Sequence, residues 1–78
     1  MSDILIECAL HIANTVLRED AAGDARSADR AHVRLHQTIE RADNPEAILL
    51  GVTRRLGRVR AGKLMIEQEV IDLACGTT

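Results

Sequence analysis

No phenylalanine, tyrosine or tryptophan occurs anywhere in these 78 residues, although 46% of them are hydrophobic. The core must therefore be built from Ile, Leu, Val, Ala and Met. Each such side chain contributes about 1.5–3 kcal/mol when fully buried, against roughly 1–2 kcal/mol of backbone entropy per ordered residue. The length allows one domain, near the lower edge of independent stability. On this arithmetic a lone monomer is marginal, and association with a second copy or another protein relieves the shortage. The missing rings also remove the platforms on which single-stranded nucleic acid stacks and the aromatic walls on which many small-molecule pockets lean.

The apolar residues recur at helical spacing. Between Ile4 and Leu17, one stripe runs Leu5, Ala9, Ile12, Val16 and an adjacent one runs Ile6, Leu10, Ala13, Leu17. Two neighbouring stripes describe a helix buried on more than half its circumference. Ser2 or Asp3 suits its start, and Gly23 ends it near Ala22. One partner helix covers one stripe, and something else must cover the other.

Between Arg18 and His32 there is no Leu, Ile, Val or Met. Asp24 or Ser27 is placed to start a second helix, whose seam reads Ala25, Ala28, His32, Leu35, Ile39, Ala42 in alternating steps of three and four. Its alanine-only start buries little, so the helix is expected over 29–42, the earlier residues being frayed or loop. Ala42-Asp-Asn-Pro-Glu then punctuates the chain. Pro45 suits the first turn of a new helix, Asn44 is a good cap, and Asp43 with Glu46 has capping-box spacing.

Beyond Pro45 a seam of Leu49, Val52, Leu56 and Val59 continues in register through Lys63 to Ile66, Val70 and Leu73. One long helix of about 30 residues, roughly 45 Å, fits this pattern. So do two helices broken near Gly62, at 45–60 and 63–75, and the charged surroundings of Gly62 favour the break. Gly76 closes the last helix. The expected architecture is all-α: a three- or four-helix bundle whose first helix spans 3–20, completed by self-association or a partner.

The basic residues are unevenly placed. Arg54, Arg55, Arg58, Arg60 and Lys63 are five of the chain's ten, within ten positions and with no acid among them; the rest carries five bases and twelve acids, so a net −2 chain is −7 outside this run. Such a run suits an acidic protein surface, a second copy, or phosphates with salt-dependent affinity. A solvated helix face is a substantial alternative, and an acidic protein partner ranks above nucleic acid, because the overall charge is negative and no DNA-binding motif is present.

Cys8 and His11 stand three apart on the first helix, and His32 and His36 four apart on the second. Each pair shares a helix side, and an antiparallel pairing could bring all four together as tetrahedral zinc ligands. The bland reading is a small buried cysteine and a satisfied seam histidine. No metal or other cofactor is assigned. Two cysteines do not make a disulfide framework, although one Cys8–Cys75 bridge is conceivable.

Glu67, Glu69 and Asp72 follow the basic run, and the first and last fall outside the apolar seam as solvated carboxylates do. No nucleophile–base pair, glycine-rich phosphate loop or metallohydrolase motif is present, so no catalysis is expected. No signal peptide or membrane-spanning stretch is read, which makes the cytoplasm the default location. The leading functional expectation is a helical protein–protein interaction module: a homodimer, or a small adaptor, regulator or inhibitor of a larger complex. Its contact faces are Ile6, Leu10 and Leu17 on the first helix and Ile66, Val70 and Leu73 at the C-terminal end. The runner-up is a nucleic-acid-binding regulator using Arg54 to Lys63, followed by a zinc-stabilised bundle.

Overall fold

The computed structural model describes residues 2–76, with side chains from Ile4 onward. The described residues form five helices and no strand: α1 Ser2–Ala21, α2 Ala25–Glu40, α3 Pro45–Leu56, α4 Arg58–Lys63 and α5 Gln68–Cys75. The all-α bundle read from the periodicity is present. The cap expected from Ser2 or Asp3 lies outside the described side chains.

A short turn at Gly23 folds α2 back on α1, the most extensive helix pairing in the molecule. The α1 backbone closes with a Schellman motif: the Gly23 amide donates to Asp20 and the Asp24 amide to Glu19, both at 3.0 Å, with Gly23 at φ 82°. That left-handed position costs glycine nothing. Asp24 then caps α2 by accepting from the Ser27 amide at 3.1 Å. This cap lets α2 begin at Ala25 rather than at 29. The alanines do not fray, because Ala28 and Ala31 are buried against α1 with Leu35 and Ile39.

On α1 the most buried line is Ala9, Ala13 and Val16, between the two expected stripes, with Ile6, Leu10, Ile12 and Leu17 half-buried on either side. α2 packs on α1, and α3 covers a further part of it. Asn44 caps α3 by accepting from the Ala47 amide at 3.2 Å, with Pro45 following. Ile48 and Val52 are fully buried, as is Thr53, whose hydroxyl donates to the Leu49 carbonyl at 2.7 Å.

The C-terminal third departs from the expected seam. The break falls at Gly57, at φ 88° and ψ 169°, a conformation that only glycine adopts readily, while Gly62 lies inside α4. A second break follows at Leu64–Glu67. Each break resets the helical phase, so Val59 turns outward while Ala61 and Leu64 become fully buried. In α5 the core residue is Ile71, between Val70 and Leu73 of the expected stripe. The molecule measures 31 × 30 × 15 Å between Cα atoms. Its long dimensions match the 20 residues of α1 at about 1.5 Å each, and a slab this thin has broad faces and little interior.

Candidate functional site

The turn between α4 and α5 repeats the α1 ending with one substitution. The Met65 amide donates to Gly62 at 3.1 Å and the Ile66 amide to Ala61 at 3.4 Å, the same Schellman pattern as at Gly23. The residue in the left-handed position is now Met65, at φ 61°, the one described non-glycine residue with positive φ. A side chain there costs on the order of 1–3 kcal/mol. The local sequence nevertheless holds this geometry, because Leu64 on one side is fully buried and Ile66 on the other packs against the core.

Met65 itself is 82% exposed. It stands at the rim of a groove of about 270 Å³. Leu35 and Ile39 of α2, Leu49 and Val52 of α3, and Leu64, Ile66 and Val70 supply its apolar lining. His36 and Glu67 are the polar groups at its edge. Val33, three residues before His36, and Leu73, three after Val70, are also exposed. Neither lines the groove itself: Leu73 borders a separate open hollow with Glu69, Asp72 and Gly76, and Val33 neighbours His36 on the α2 surface. A second depression is lined by Leu5, Arg34, Gln37, Thr38, Arg41 and Ala42, with polar and apolar surface in nearly equal shares.

The two expected contact faces thus differ in position. Ile6, Leu10 and Leu17 pack against the core from the α1 side, Ile6 directly over Gly51 of α3. Ile66 and Val70 line the groove, and Leu73 is 64% exposed on α5. Sequence periodicity did not single out Met65. An available signal was an apolar residue falling off the Ile66/Val70/Leu73 seam.

The basic run does not form one open patch. Arg55 pairs with Glu7 of α1. Arg58 donates to Asp72 at 2.9 Å and to the Gly76 carbonyl, tying the start of α4 to the end of α5. This bond and one from Gln68 hold the Asp72 carboxyl below its ordinary pKa. Arg60 and Lys63 border a hollow with Leu17, Asp20 and Ala21 at the carboxyl end of α1, where helix carbonyls favour cations. Arg54 is exposed.

Of the possible metal ligands, His32 and His36 meet, their Nε2 atoms 3.1 Å apart. Cys8 and His11 do not join them: no group of three or more His, Cys, Asp or Glu side chains placed to hold an ion occurs among the described residues. Cys8 and Cys75 are free, exposed thiols. No described helix is long and apolar enough to cross a membrane. Compared with protein-family models, curated proteins and solved structures, the chain matches none.

Proposed function

We propose that this chain is a helical protein–protein interaction module that pairs with a second copy of itself through the Met65 groove. The observation that carries the reading is Met65: an exposed apolar side chain held in a strained conformation beside an apolar groove. The burial of Leu64 and Ile66 holds this strain in place, and strained residues cluster at functional surfaces. A knob next to a hole on one surface suits a two-fold pairing, in which each Met65 enters the groove of the other copy.

The magnitudes say how much more is needed. Burying one methionine contributes roughly 1.5–3 kcal/mol, hence about 3–6 kcal/mol for the symmetric pair. Losing translational and rotational freedom costs an estimated 4–15 kcal/mol. The two methionines alone do not hold a dimer, so the contact must extend over the exposed Leu73 and Val33 as well. The thin slab and the aliphatic core support the same reading, because a small interior leaves stability to be gained by association. The role then open to such a dimer is that of a small adaptor or regulator, with no chemistry of its own.

Leu73→Asp tests this without disturbing the core, since Leu73 is exposed. Light scattering at several concentrations should show the wild type as a dimer and the variant shifted to monomer. A monomeric wild type, or a variant that dimerises as tightly, would exclude the pairing.

A further inference from the structure

The geometry points to a two-histidine site on α2, formed by His32 and His36, for a divalent transition-metal ion of the zinc type. Four residues separate them, so they lie one turn apart on the same side of the helix. Their ring planes differ by 3° and their centroids are 4.9 Å apart, yet the Nε2 atoms approach to 3.1 Å. The nitrogen edges therefore face each other. With histidine–zinc distances of about 2.0–2.1 Å, two nitrogens 3.1 Å apart subtend about 95–102° at a shared ion. That angle lies between octahedral and tetrahedral values, so the spacing suits a shared ion.

Without metal, one ring donates its Nε2 proton to the other. Binding requires that proton to move to Nδ1 of the same ring, which frees both Nε2 lone pairs and changes no net charge on the protein. His36 is exposed and His32 half-buried, so water completes the coordination and the ion enters from solvent. Asp29 and Glu40, three and four residues to either side on the same helix, are exposed carboxylates. They add local negative charge that attracts a cation without ligating it. The site also borders the groove through His36, but it stands on α2 alone and does not depend on the pairing proposed above.

The test is calorimetric titration of zinc chloride into the full chain in a non-chelating buffer, with Cys8 and Cys75 alkylated so that thiols cannot compete. Saturation at one ion per chain is expected, with a higher unfolding midpoint in zinc, because only the folded helix holds both nitrogens at this spacing. His36→Gln removes one ligand from an exposed position; it should weaken binding at least tenfold and leave the zinc-free unfolding midpoint nearly unchanged. No binding at millimolar zinc would overturn the proposal, and so would equal affinity in His36→Gln, which would place the ion elsewhere.

Discussion

The Cδ1 atom of Ile6 lies 2.9 Å from where a Cβ on Gly51 would stand, and its Cγ1 and Cγ2 lie 3.2 Å away. Gly51 is thus where the Ile6 side chain packs over α3 so closely that an added Cβ forces Ile6 to shift. Alanine there gains about 1 kcal/mol of helix propensity, but overpacking a core contact costs typically 1–3 kcal/mol. Gly51→Ala should lower stability by about 1 kcal/mol, a fall of roughly 4–8 °C in the unfolding midpoint. Ile6→Val, which removes Cδ1, should recover part of that loss in the double variant. At Gly62, helical and open, nothing lies within 4 Å of an added Cβ, so Gly62→Ala should stabilise by about 0.5–1 kcal/mol. Thermal unfolding followed by circular dichroism reads both signs.

Asn44 connects the α2–α3 turn to the α3 backbone through its bond to the Ala47 amide. Asn44→Ala should cost about 1 kcal/mol, and Asn44→Gly only a few tenths. Equal losses in the two variants, measured by urea unfolding, would place the effect in the side-chain bond that both remove; no loss in either would mean that the cap contributes little.

The Arg58–Asp72 bond makes stability depend on acid. Asp72 has a folded-state pKa below the ordinary 3.8, so its contribution is complete above that value and is lost as pH falls through the depressed one. Asp24, whose carboxyl accepts from Ser27, acts in the same sense. The unfolding midpoint should hold from neutrality to about pH 4 and decline below it. Asp72→Asn should be less stable at pH 7 and approach the wild type at low pH. Because the pair is partly exposed, the difference should shrink in high salt.

The sequence made the helices legible wherever one continuous period ran between strong stops. Gly23 and Asn44-Pro45 marked the end of α1 and the start of α3, whereas α2 begins at Ala25, before the expected 29, on the Asp24 cap. What it concealed was phase. A seam from Leu49 to Leu73 counts in perfect steps of three and four, but left-handed residues at Gly57 and Met65 rotate the chain between its parts. Val59 consequently faces solvent while Leu64 and Ile71, off the counted seam, enter the core. Glycine at 57 was one of several permissive positions with nothing local to rank it above Gly62. Methionine at 65 carries no turn signal, since tertiary burial of its neighbours imposes the conformation. The basic run was legible as composition, but its division depended on which acids the fold brought near: Glu7 to Arg55 and Asp72 to Arg58.

Replacing Met65 by glycine separates folding from association most directly. Met65→Gly relieves the left-handed strain and should raise the monomer's stability by about 1 kcal/mol, measured at high dilution. It also removes the side chain that enters the paired groove. Mass by light scattering, with concentration taken from refractive index because the chain has no aromatic chromophore, should give the wild type at twice the 8.5 kDa chain mass and Met65→Gly near 8.5 kDa. A wild type that stays at 8.5 kDa at every concentration, or a Met65→Gly protein that dimerises as tightly as the wild type, would contradict the account.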